Sequence, residues 1–96
     1  MMCLLVYDIP SDRLRAKVAD ICLDYGLERI QFSAFMGELN HNLQGELLQK
    51  VRRRVGRQEA NVQLFPICEK DIRLRRVIVV SGEPGAEGRE SKGGKG

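Results

Sequence analysis

Asp8 is the residue whose type and setting point most directly to chemistry. It ends the apolar run Cys3–Tyr7, two residues before Pro10. A carboxylate in that place has two uses. It can cap the helix that follows, its oxygens accepting from free amides, or it can ligate a hard cation beside a phosphate. Mg²⁺ takes one or two carboxylates, with water and phosphate oxygens completing its shell. No second acid lies on the same run, and Asp12 is a helical turn away and expected to be solvated. A two-fold axis bringing two copies of Asp8 together would supply the missing ligand, so such a site would exist only in a dimer.

Arg29, Ser33 and Phe35 form a second constellation, sharing one strand parity with Gln31. They read as a solvated edge with Phe35 sunk into a subunit seam, or as an aromatic among cations placed to stack on a base. The chain lacks the aromatic-rich signature strand of an RNA-recognition motif, which favours the seam. The third feature is basic. Lys50, Arg53 and Arg57 fall at i, i+3 and i+7, projecting from the helix face opposite Leu47 and Val51, with Arg52 and Arg54 beside them. Arg73, Arg75 and Arg76 make another patch. Such rows either hold phosphates without reading sequence or are a solvated face.

The charge is lopsided in the same sense. Residues 1–45 carry four Lys/Arg against six Asp/Glu, residues 46–80 nine against four, and residues 81–96 three against three, within a net charge of +3. Positive charge gathered in one half suits a polyanion partner, most often nucleic acid. Other chemistry is not signalled. His41 has no acidic or cysteine neighbour at ligand spacing and reads as an exposed loop residue. Cys3, Cys22 and Cys68 are odd in number with no C-x-x-C pair, which argues for reduced thiols in a cytoplasm rather than a disulfide framework or a zinc site. No Gly-rich phosphate loop or nucleophile elbow occurs.

The elements that must position these residues follow from pattern. Ninety-six residues, 43% hydrophobic and 30% charged, make one domain. No apolar run approaches the roughly 18 residues of a membrane span, and no basic stretch precedes the first apolar run as a signal peptide requires. Cys3–Asp8 reads as a buried strand. Ser11 caps a helix over 12–25 that Gly26 stops, with Leu14, Val18, Ile21, Cys22 and Tyr25 on one stripe and Arg15 and Lys17 at its borders. Residues 28–39 alternate as one long strand or two broken near Ser33, with Ile30, Phe32, Ala34 and Met36 on one parity. Asn40–Asn42 offer caps for a helix to about Val55, with Leu43, Leu47, Leu48, Val51 and Val55 inward and Gly56 as its stop. Asn61–Ile67 and Arg76–Ser81 read as further strands. The result is an α+β sandwich over 1–81, followed by a flexible Gly-rich tail at 82–96. Cys3–Tyr7 and Val77–Val80 are apolar at consecutive positions, so both faces of those strands want cover. With two helices available, the cover expected is a second copy: a homodimer.

The motifs Tyr7-Asp8-Ile9, Leu14-Arg15, Tyr25-Gly26-Leu27, Arg29-Ile30-Gln31 and Ser33-Ala34-Phe35-Met36-Gly37 closely resemble the CRISPR-associated protein 2 family. The resemblance spans residues 1–81 in element order and is most specific over 4–39. It implies a ferredoxin-like βαββαβ fold with an additional C-terminal strand that joins the partner's sheet, Arg76–Ser81 here. It also implies work beside the CRISPR-associated protein 1 integrase in spacer acquisition, against the double-stranded spacer precursor. Several members are credited with metal-dependent endonuclease activity on single-stranded RNA or double-stranded DNA. The family's acid maps to Asp8, its helical basic positions to Arg15 and Lys17, its strand arginine to Arg29, and its Ser-x-Phe to Ser33 and Phe35. By that resemblance Asp8 would hold Mg²⁺ across a dimer axis while Arg15, Lys17 and Arg29 offset charge on the phosphate in flight. Lysine at position 17, where arginine is more usual, keeps the charge and loses the planar fork. The competing class is a ferredoxin-like dimer regulated by a small molecule, which would not need the basic row.

Overall fold

A computed structural model describes residues 1–81; the tail expected at 82–96 lies outside the described residues. Local signals set the helix limits. The Ser11 hydroxyl accepts from the Leu14 amide at 3.1 Å, which starts α1 (Asp12–Asp24). Gly26, at φ +86°, lets the chain reverse in a region that side chains with a Cβ avoid. Asn40 accepts from the Leu43 amide at 2.8 Å, starting α2 (His41–Val55), and Gly56 ends it. The strands are β1 (Met2–Asp8), β2 (Glu28–Gln31), β3 (Ala34–Glu38) and β4 (Asn61–Ile67), and a short α3 (Glu69–Arg73) follows.

The sheet order is β2-β3-β1-β4 with every neighbouring pair antiparallel. With α1 and α2 on one face, this is the expected ferredoxin-like βαββαβ sandwich. Cys3, Leu5 and Tyr7 of β1 point under the helices together with Phe35 of β3, and Leu14, Val18 and Cys22 of α1 and Leu47 and Val51 of α2 close over them. The other face stays open. Leu4 and Val6 lie half-buried there, beside Ala34 and Met36 on β3 and Phe65 on β4, by register. Among the described residues no helix is long and apolar enough to cross a membrane.

Three expectations need correction. Arg76–Ser81 forms no strand: the segment is without regular structure, and Val77–Val80 are 65–91% exposed. In the single chain the segment joins neither outer edge of the sheet, β2 or β4; the resemblance places it on a partner's sheet, which one chain does not offer. Leu43 and Leu48 are 36% and 37% exposed rather than inward; Gln44 takes the buried place instead, its Nε2 donating to the Leu39 carbonyl at 2.9 Å. Of the two readings of 28–39 the structure has the pair of strands broken near Ser33; what fails is the single parity of the polar face, which a register shift between Arg29 and Gln31 breaks.

Candidate functional site

Asp8 is the last residue of β1, on the open face beyond Leu4 and Val6 and opposite Asn61 of β4. It is exposed, and among the described residues its carboxylate makes no hydrogen bond or ion pair. Ser11 caps α1, so the capping use of Asp8 falls away and the carboxylate stands free. No cluster of three or more metal-ligating side chains occurs among the described residues. A single free carboxylate per chain does not suit zinc, which wants four nitrogen or sulfur ligands. It does suit Mg²⁺, whose shell is completed mostly by water and phosphate oxygens.

Arg15 is tied to the loop just behind Asp8. Its Nη1 donates to the carbonyls of Ile9 at 2.7 Å and Pro10 at 3.1 Å, and its Nη2 pairs with Asp12. The guanidinium thus fixes the β1–α1 turn, and its charge is partly answered by Asp12. Arg29 lies on the other side of the sheet edge from Asp8, its guanidinium 5.0 Å from the Phe35 ring centre and 5.8 Å from that of Phe32. Arg15 and Arg29 therefore meet at Phe32, with Arg15 5.5 Å from the same ring, and neither shares a face with Asp8. Lys17 lines a separate cleft of about 390 Å³ with Arg13, Arg54 and Gln58. Ser33 contributes its carbonyl, which accepts from the Tyr7 amide at 3.0 Å.

Phe35 corrects an expectation. It is fully buried within the single chain, stacked on Tyr7 at 6.2 Å, and not in a subunit seam. Its register partners are Leu5 and Arg29, which puts it on the helix-covered face. The most exposed phenylalanine among the described residues is Phe32, in the β2–β3 turn at 70% exposure. Alternation had grouped it with Ile30, Ala34 and Met36, and the β2 irregularity is what releases it.

The basic residues divide into two groups. Lys50, Arg52, Arg53, Arg54 and Arg57 are all exposed and form no ion pair among the described residues. Lys50 and Arg53 line one cleft of about 580 Å³ with Tyr25, Glu46 and Gln49, Lys50 sitting 6.0 Å from the Tyr25 ring. Arg57 is not on the helical row, because α2 ends at Val55 and Gly56 turns the chain. Arg75 lies elsewhere: its Nη1 reaches Met36 Sδ at 3.6 Å, over the open face, with Arg73 in α3 and Arg76 exposed beyond it. The two patches occupy opposite sides of the sheet. Arg13 and Phe32 were not singled out by spacing; for Arg13 its place one helical turn before Lys17 was the available signal.

Burial pushes the Cys22 thiol up to about 12, helped by nearby Cys3, whose own value is also raised chiefly by burial. Both thiols stay protonated and act as apolar filler.

Residues 1–74 match the family described as CRISPR associated protein Cas2. A CRISPR-associated endoribonuclease Cas2 of Chloroflexus aurantiacus is 53% identical over 78 residues, covering 81% of this chain and 92% of the relative. A Cas1/Cas2 endonuclease fusion of Thermoproteus tenax is 42% identical over 72 residues, covering 75% of this chain and 27% of the fusion. The crystal structure of Streptococcus pyogenes Cas2 superposes with a TM-score of 0.71 over 82% of this chain and 100% of that one; at 19% identity it speaks for the fold alone. Family match, extensive identity and shared architecture agree: the chain belongs to the CRISPR-associated protein Cas2 family.

Proposed function

We propose that the chain is a homodimeric nucleic-acid scaffold in CRISPR spacer acquisition, carrying a slow Mg²⁺-dependent endonuclease at its two-fold axis. The observation that carries the scaffold is the exposed basic surface of α2, where Lys50, Arg52, Arg53 and Arg54 have no acidic partner among the described residues. Cations left unpaired along one helix suit a duplex backbone, which they contact without reading bases. Fusion of a similar sequence to Cas1 in one relative supports an integrase as protein partner. Membership of this family and the unpaired basic surface favour this reading over a small-molecule regulatory module, which would not need the basic row. The three free thiols suit a reducing cytoplasm.

The dimer is supported by the open sheet face. Leu4, Val6, Met36 and Phe65 form an apolar surface that no helix covers and that only Arg75 reaches across, at Met36, and Asp8 continues the same row. Pairing two open faces with the two-fold axis near the end of β1 would bring two Asp8 carboxylates together, where they would hold Mg²⁺. When bound there, Mg²⁺ would supply Lewis-acid polarisation of a phosphodiester and a water of lowered pKa. Arg15 keeps the turn carrying Asp8 in place through the Ile9 and Pro10 carbonyls. Arg29 and Lys17 lie outside that face and act on nucleic acid as charge rather than at the reacting phosphate. With so few acids the reaction is slow. RNA and DNA share the phosphodiester this site would address.

Salt dependence tests the scaffold. Each phosphate contact contributes about 0.9 to the slope of log affinity against log salt for duplex DNA. Changing Lys50, Arg53 and Arg54 together to Ala should flatten that slope by up to about 2.7. An unchanged slope and affinity would show that α2 is only solvated surface.

A further inference from the structure

The cleft between α1 and the β2–β3 turn is used by nothing described so far. It measures about 400 Å³ and is lined by Tyr7, Ala16, Ala19, Leu23, Arg29 and Phe32, with Arg15, Asp12 and Asp20 at its borders. That volume falls within the roughly 300–1,000 Å³ of small-ligand sites. Three features set its chemistry. Phe32 is 70% exposed, a poor place for a phenyl ring unless something covers it. Two guanidiniums stand 5.5 and 5.8 Å from its ring centre. Tyr7 lines the same cleft, and its hydroxyl is buried with no hydrogen-bond partner among the described residues.

We infer that this cleft takes one unpaired nucleobase from a single-stranded end flanking the bound duplex. The inference deepens the nucleic-acid reading above and rests on it. Stacked bases lie about 3.4 Å apart, so a base slipped between Phe32 and a guanidinium needs a gap of about 7 Å. The Arg29 guanidinium, 5.8 Å from the ring centre, falls about 1.2 Å short, which a small swing of Arg29 supplies, while Arg15 stays on the Ile9 and Pro10 carbonyls. Stacking on a ring face accepts every base, because each has a π-face. Guanidiniums beside the ring add cation–π attraction and meet the phosphate that accompanies the base. A ring nitrogen or carbonyl oxygen entering the cleft would give the Tyr7 hydroxyl the partner it lacks, removing the cost of an unpaired buried donor. The site lies on the helix side of the sheet, away from Asp8, so binding there is separate from cleavage.

The test compares the full chain on blunt duplex DNA and on the same duplex with a short single-stranded overhang containing 2-aminopurine. The overhang should bind about tenfold more tightly, as one aromatic–base stack allows, and its fluorescence should be quenched on binding. Phe32→Ala should bring the two affinities together and restore the fluorescence, leaving blunt-duplex affinity as it was; Phe32→Tyr, which keeps the ring, should retain the preference. Equal affinities in the unaltered chain, or a preference that survives Phe32→Ala, overturn the cleft while the scaffold stands. Failure to bind either DNA overturns both.

Discussion

Phe65 offers the sharpest test of how two chains come together. It stands opposite Leu4 on the open sheet face and is 45% exposed in the single chain. Full burial of a phenylalanine side chain is worth about 1.5–3 kcal/mol, so closing its exposed half in a seam contributes about 1 kcal/mol. A two-fold dimer carries each substitution twice, which makes Phe65→Ser worth about 2 kcal/mol, or about thirtyfold in the dimer dissociation constant. Sedimentation equilibrium over a micromolar concentration series reads this directly. The unaltered chain should run near twice its 10.9 kDa, and Phe65→Ser should shift the midpoint to higher concentration. Leu48, on α2 and 37% exposed, is the control: Leu48→Ser should leave the midpoint in place. A mass of one chain throughout, or equal midpoints for both variants, would refute the open-face seam and with it the shared Asp8 site.

Asp8→Asn keeps shape and removes charge, and should reduce Mg²⁺-dependent cleavage to background while dimer and duplex binding persist; cleavage that survives it belongs to another nuclease. Arg15→Lys cannot span the Ile9 and Pro10 carbonyls and should cost about 1 kcal/mol of stability, seen as faster amide exchange at residues 9–11. The folded chain holds the Cys22 proton to about pH 12 whereas the ordinary thiol value is 9.0. Its stabilising contribution is therefore complete below pH 9 and lost as pH rises from there. The decline approaches about 1.4 kcal/mol per pH unit for this thiol, and Cys22→Ala should flatten that alkaline limb in urea titrations.

Residues with local jobs were legible from the chain alone. Ser11, Gly26, Asn40 and Gly56 each act within a few residues of themselves, and each sits where its chemistry indicates. What failed was non-local. Phe32 and Phe35 are three apart, and only the irregular pairing between β2 and β3 decides which is buried; nothing in strand alternation carries that information. Arg57 extends a helical row on paper, but Gly56 stops the helix first. The separation of Asp8 from Arg29 likewise follows from register, which spacing along one strand cannot supply.

The Val77–Val80 segment has a consequence for the life of the chain outside its assembly. Arg76 is followed by four β-branched residues, all well exposed, ready to add to any free strand edge. Such stretches seed cross-β stacking when left uncovered. The arginines at 73, 75 and 76 act as gatekeepers, their like charges opposing the approach of identical copies in register. The single chain is therefore open to proteolysis and to stacking along that one ribbon, and in the dimer proposed above only uptake by the partner's sheet would shield it.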